Sequence, residues 1–253
     1  MIDIHSHILW GLDDGAASPE SSAEMLRIAA RHGTTDIVAS PHSNLQFGFD
    51  PELARTRLEE LARQVTPAPR IHLGCDYHFY PESVAIAAAH PERYSINGKG
   101  YLLIEFSDLV IFKETPALLA RLREAGLKPV LTHPERNWLL HPKVEELSAW
   151  VKEGLLLQIT AQSLLGRFGK PAQRFAELLL NRGLVHFVAS DAHDPEDRTP
   201  RLDEAFAWVA RRYGPAAAEH LFVLNPGCAL TGAPLPPQPA PPPPRKWYAF
   251  WRR

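Results

Sequence analysis

Cysteine is scarce. The 253-residue chain holds two, Cys75 and Cys228, with no CxxC pair. A disulfide framework and a thiolate zinc site are therefore not indicated. A run of 18 apolar residues is also lacking, which excludes a transmembrane helix read from hydropathy. The N-terminus shows no basic region followed by a long apolar stretch, so no signal peptide is expected, and the cytoplasm is the default location. An excess of charge of one sign is missing too. Twenty-seven basic residues face 29 acidic ones, a net charge of -2. Broad electrostatic binding of nucleic acid is not expected from that balance.

What the chain does have is a core-forming composition. It is 45% hydrophobic and 22% charged, enough for a soluble domain, and its length suits an α/β barrel. Seven strand-then-helix units can be read in order. The strands are expected at the N-terminus through His5, at 35–40, 70–79, 101–106, 128–133, 155–160 and 185–190. Helices follow near 19–32, 51–65, 81–89, 116–125, 143–152, 171–182, 200–213 and 215–222. Ser18-Pro19 reads as an N-cap and first helical residue. Leu53, Leu58 and Leu61 form the apolar stripe of the second helix. Nearly continuous apolar strands point to parallel strands covered on both faces. Repeated βα units fit either an open doubly wound sheet or a closed barrel.

The polar residues favour the barrel. His5, His7, His42, Asp76, Glu105, His133, Asp191 and His193 all lie at or just past a strand's C-terminal end, from six of the seven strands. Barrel enzymes build their sites there. His5 and His7 are two apart, so in an extended strand both imidazoles face one side. Asp191 and His193 repeat that spacing, and Asp14 adds a carboxylate from the turn after the first strand. Five histidines and four carboxylates without thiolate suit zinc, manganese or iron. Nine donors exceed the needs of one ion, so two or three clustered divalent ions are expected, with a carboxylate such as Glu105 bridging. Glu105 inside YLLIEF would otherwise be a costly charge in apolar surroundings. Such a cluster activates water near neutral pH and holds a phosphoryl or carbonyl oxygen. Arg136, three residues after His133, can grip a phosphate or simply pair with Glu135. His72, His90 and His186 read as structural or exposed. His78 alternates with Asp76 but is not assigned.

In this order and spacing, DIHSHILWGLDDGA, ASPH, LIEFS, THPERN and SDAH resemble the PHP (polymerase and histidinol phosphatase) superfamily. Within it they resemble the bacterial protein-tyrosine phosphatases of the CpsB/YwqE type, encoded with capsule and exopolysaccharide genes. The resemblance implies a distorted (β/α)7 TIM-like barrel with up to three metal ions, often manganese. It implies hydrolysis of phosphotyrosine on a membrane-associated tyrosine autokinase that controls polysaccharide synthesis. By motif, the metal ligands would be His5, His7, Asp14, His42, Glu105, His133, Asp191 and His193, and Arg136 would contact phosphate. Asp76 stands where that family often has glutamate. A cysteine-dependent phosphatase is excluded, because the arginine required six positions after the nucleophile is Pro81 or Pro234.

The same barrel and metals also serve small-molecule phosphoesterases of the histidinol-phosphate phosphatase type. A catalytically silent, metal-stabilised binding module is the alternative from another class. An amidohydrolase barrel and a nucleic-acid enzyme fit less well. The domain is expected over residues 1–232. Residues 233–253 form a Pro-rich then basic-aromatic tail, PLPPQPAPPPP followed by RKWYAFWRR. It is expected to be extended and solvated, or to make a weak contact with a membrane or a partner.

Overall fold

The computed structural model describes residues 1–237. The basic-aromatic end of the tail lies outside the described residues. Nine short strands occur in order: β1 (Ile2–Ser6), β2 (Asp36–Ala39), β3 (His42–Ser43), β4 (Arg70–Leu73), β5 (Asp76–Phe79), β6 (Tyr101–Phe106), β7 (Lys128–Thr132), β8 (Leu156–Thr160) and β9 (Phe187–Ala189). Every pairing is parallel. One sheet runs β1-β2-β4 and the other β3-β5-β6-β7-β8-β9.

The two sheets continue into each other at both junctions. The second strand stops before Pro41, as expected, because proline has no N–H to give a ladder, and the chain re-enters the sheet at His42–Ser43. The expected third strand breaks at Gly74-Cys75. There a Cβ on Gly74 would come within 2.9 Å of a Val38 methyl. The amide of Gly74 still donates to Ala39 O (2.8 Å) and that of Asp76 to Pro41 O (3.1 Å). At the other junction, Asp191 N–H donates to His5 O and His7 N–H to Ala192 O, both at 2.8 Å. The last strand is thereby stitched to the first.

Alternation within each strand divides the core. Ile4, Val38, Leu103, Val130 and Phe187 fill the interior between the strands. Leu102, Ile104, Leu131, Leu157 and Val188 face outward onto helices. Both faces are dry, as parallel strands require, and the interior is a packed core rather than a pore. Truncating one of these leucines to alanine costs about 2–5 kcal/mol.

The helices match the expected punctuation. Pro19–Arg31 begins with Ser18 accepting from Ser21 N–H, and Pro51–Gln64 begins with Asp50 accepting from Glu52 and Leu53 N–H. In the second helix Ala54 and Leu61 are buried while Leu53 is exposed, so the apolar stripe is narrower than its leucines suggested. Beyond Pro215–Glu219 the chain continues helically through Asn225–Thr231, which was not expected. This last helix closes the barrel end opposite the polar residues. Ala229, Leu230 and Leu235 pack against the interior cluster. Tyr101 Oη donates to Ala233 O (2.6 Å) and Lys128 Nζ to Gly232 O (2.7 Å). No helix among the described residues is long and apolar enough to cross a membrane.

Candidate metal centre

All nine predicted donors converge at the C-terminal ends of the strands. Three constellations have donor atoms mutually within 4.8 Å. They are His7, Asp14, His42 and His193; His5, His7 and Asp76; and His42, Asp76 and Glu105. His133 and Asp191 complete the set through pairwise approaches rather than as members of a constellation. His133 Nε2 lies 3.5 Å from Glu105 Oε1, and Asp191 Oδ1 lies 3.5 Å from both His5 Nε2 and His7 Nε2. Asp76, rather than Glu105, is the carboxylate common to two constellations. Its Oδ2 sits 3.6 Å from His5 Nε2 and 3.3 Å from His42 Nδ1. The shorter side chain thus still reaches both groups. The β3–β5 register makes this possible by setting His42 directly opposite Asp76.

The imidazoles are held with one nitrogen committed and the other free. His5 Nδ1 lies 2.8 Å from Gln158 Oε1, an acceptor, so the proton is on Nδ1. His7 Nδ1 donates to Asp13 Oδ2 at 2.6 Å, and His193 Nδ1 to the carbonyl of Asp191 at 3.0 Å. Each of these bonds leaves Nε2 as a lone pair aimed into the nest, the arrangement seen in histidines that ligate metals. His5 Nε2 and His7 Nε2 are 3.2 Å apart. Two lone pairs at that distance repel unless a cation or a proton lies between them. His42 Nδ1 and Asp76 Oδ2 are buried with no hydrogen-bond partner. An all-nitrogen and all-oxygen donor set with buried orphan atoms fits divalent cations, and coordination would satisfy each orphan.

The electrostatics of the nest have the same origin. Burial works against charge on His7, but Asp13 and Asp191 hold its pKa up at about 10. Burial, helped by Asp76, raises Glu105 to about 7. His133 is pushed well below the usual histidine range by burial and by Arg136. Backbone strain also collects here. His133 and Asp191 take the left-handed region at φ 34° and 52°, a conformation that non-glycine residues adopt at a cost.

Arg136 does not pair with Glu135. It donates from Nη1 to Asp191 Oδ2. Glu135 is buried and accepts from Thr160 N–H (2.9 Å) and Ser163 Oγ (2.7 Å). A second guanidinium, Arg198, reaches the same Asp191 oxygen at 2.6 Å. Asp191 therefore turns one oxygen toward the histidines and the other toward two arginines. Both guanidinium groups lie over the Phe168 ring, with Cζ at 4.6 Å and 5.8 Å from its centre. Asp14 remains the most exposed donor, with 55% of its side chain accessible.

Sequence reasoning missed three contributors. Asp13 precedes Asp14 in the same turn and was not among the assigned ligands. Gln158 interrupts the apolar run of LLLQIT, the same kind of signal that singled out Glu105. Arg198 lies in a polar loop where nothing local marks it. His78 faces Glu105 across the ladder and belongs to none of the three constellations. His186, read as structural, accepts a hydrogen bond from Leu157 N–H at 3.1 Å. His72 is held by Asp36 at 2.9 Å.

The family of capsular polysaccharide synthesis proteins, CpsB/CapC, matches residues 1–231. The chain belongs to this family. It is 35% identical to the tyrosine-protein phosphatase YwqE of Bacillus subtilis over 218 residues, 85% of each chain. It is 31% identical to the tyrosine-protein phosphatase CpsB of Streptococcus pneumoniae over 235 residues, 89% of this chain and 96% of the other. A crystal structure from work on these two proteins, described as unique metal-dependent tyrosine phosphatases, is similar with TM-score 0.85 and 33% identity. That match covers 95% of this chain and 99% of the other. The resemblance drawn from the sequence motifs, and the parallel α/β architecture that it implied, are thus borne out.

Proposed function

We propose that this CpsB/CapC protein is a metal-dependent protein-tyrosine phosphatase acting in the cytoplasm. Its substrate would be phosphotyrosine on a membrane-associated tyrosine autokinase that controls capsule or exopolysaccharide synthesis. One observation carries the reading. A nest of histidine nitrogens and carboxylate oxygens is backed by two guanidinium groups that meet on Asp191. Cations for the developing charge and forks for a phosphate are what a phosphomonoester requires.

His5, His7, Asp14, His42, Asp76, Glu105, His133, Asp191 and His193 would hold two or three divalent ions, manganese being the expected one. When bound, such ions supply Lewis acidity and an activated water at neutral pH. The chain's own residues do the rest. Gln158 and Asp13 fix the rotation and tautomer of His5 and His7. Asp76 ties the His5 group to the His42 group. Arg136 and Arg198, steadied on Phe168, offer planar N–H pairs to the equatorial oxygens of the phosphoryl group. A phenolate departs without strong protonation, so no buried general acid is required.

The test is hydrolysis of a phosphotyrosine peptide with manganese, with chelator, and in His5→Ala and Arg136→Ala. Both variants should lose turnover by two orders of magnitude or more. Retention of turnover in His5→Ala would remove the metal nest from the mechanism.

A further inference from the structure

The mouth of the site carries apolar side chains that a fully solvated rim would not. Leu45, Leu109 and Trp138 follow β3, β6 and β7 and are 91%, 91% and 67% exposed. Trp138 also borders a cavity of about 220 Å³ lined by Glu135, Arg136, Trp138, His141, Phe168 and Ala172. Two of its walls, His141 and Phe168, are rings held in place. His141 donates from Nε2 to Glu135 O at 2.9 Å and stacks on Phe175 at 4.3 Å. Phe168 lies under the Arg136 guanidinium, and the Trp138 ring sits 5.0 Å from His141. The cavity is smaller than the roughly 300–1,000 Å³ of pockets that hold whole small ligands. One side chain suits it.

Arg136 belongs to both places. It bonds Asp191 in the nest and forms one wall of the cavity. A polypeptide whose phosphotyrosine is gripped by Arg136 therefore has a residue next to that tyrosine over the cavity. Rings and a guanidinium favour a flat apolar guest. We propose that this cavity is a specificity subsite, resting on the phosphatase reading above. It takes one aromatic side chain of the substrate polypeptide flanking the phosphotyrosine, with Trp138 as its movable wall. The pocket would distinguish a protein substrate from a small phosphomonoester at a site whose metal chemistry serves both.

The experiment compares kcat/KM, with manganese, for three substrates. These are a phosphotyrosine peptide with phenylalanine beside the phosphotyrosine, the same peptide with glycine there, and p-nitrophenyl phosphate. The wild-type protein should prefer the phenylalanine peptide about tenfold, a modest value for an aromatic anchor. Trp138→Ala, at an exposed position, and Ala172→Leu, which fills the cavity, should each abolish that preference, chiefly through KM. Turnover of p-nitrophenyl phosphate should stay within about twofold. A preference kept in both variants overturns the subsite, and so does an equal loss on all three substrates. No turnover of any of the three substrates by the wild-type protein removes the phosphatase reading itself and the subsite with it.

Discussion

Asp13→Asn isolates the orientation of one ligand from the donor atoms themselves. The Asp13 carboxylate accepts from three N–H groups. Oδ2 takes His7 Nδ1 (2.6 Å) and His42 N (2.9 Å), and Oδ1 takes Gly15 N (3.0 Å). Asparagine offers one oxygen and one NH2 in the same space. With the NH2 toward Gly15, two donors collide there. With the NH2 toward His7, the imidazole must accept, which moves its proton to Nε2, the atom that faces the nest. A charge-assisted hydrogen bond of this kind contributes about 1.5–3 kcal/mol. Tenfold in affinity corresponds to about 1.4 kcal/mol, so manganese binding should weaken about 10- to 100-fold. That agrees with the usual effect of removing a group that orients a metal-bound histidine. The assay is a chelator-competition titration of manganese, paired with activity against metal concentration. The variant should recover most of its kcat at saturating metal. An affinity within twofold of wild type would refute the orientation argument.

Arg198→Ala should lower kcat/KM for a phosphotyrosine peptide about 10- to 100-fold while metal content is retained, since its guanidinium reaches Asp191 Oδ2, the oxygen turned away from the histidines, and its backbone contact to His193 N–H survives in alanine. Steady-state kinetics with metal analysis checks it. Gly15→Ala should destabilise the first turn severely, because a Cβ there would lie 2.2 Å from His7 O; a fall in Tm of several degrees and loss of bound metal are expected. His186 is half-buried and neutral, its pKa lowered by desolvation to about 4. Its folded-state pKa is below the unfolded one, so its stabilisation is present above about pH 6.5 and is lost as pH falls toward 4. Between pH 7 and 5 it should account for about 2 kcal/mol of lost stability. Urea midpoints at the two pH values should therefore converge in His186→Gln.

Much of this was legible because strand chemistry is local. YLLIEF and KPVLTH announce buried parallel strands that end in ionisable groups, and a barrel gathers such ends on one face. The stop before Pro41 was read from the sequence, but the interruption at Gly74 was not. The need for glycine at 74 is set by a methyl on Val38, a neighbour distant in sequence. The helix Asn225–Thr231 was missed because its function is to close the far end of the barrel, which the local pattern does not reveal. At the site, donors aligned with strand ends could be read directly. Arg198 could not, because its position is set by a loop that folds back onto Asp191. The pairing of Arg136 with Asp191 rather than with its neighbour Glu135 has the same cause. Glu135 turns into the core toward Thr160 and Ser163.

The measurement that bears most directly on the central claim is turnover of a phosphotyrosine peptide by metal-stripped protein, titrated with manganese and counted against bound ions. The account predicts negligible turnover without metal and activity rising as two or three ions bind per chain. It also predicts that His5→Ala lowers both bound metal and activity. Full activity in the stripped, chelator-treated protein, or a filled site with no turnover of any phosphotyrosine peptide, would contradict it.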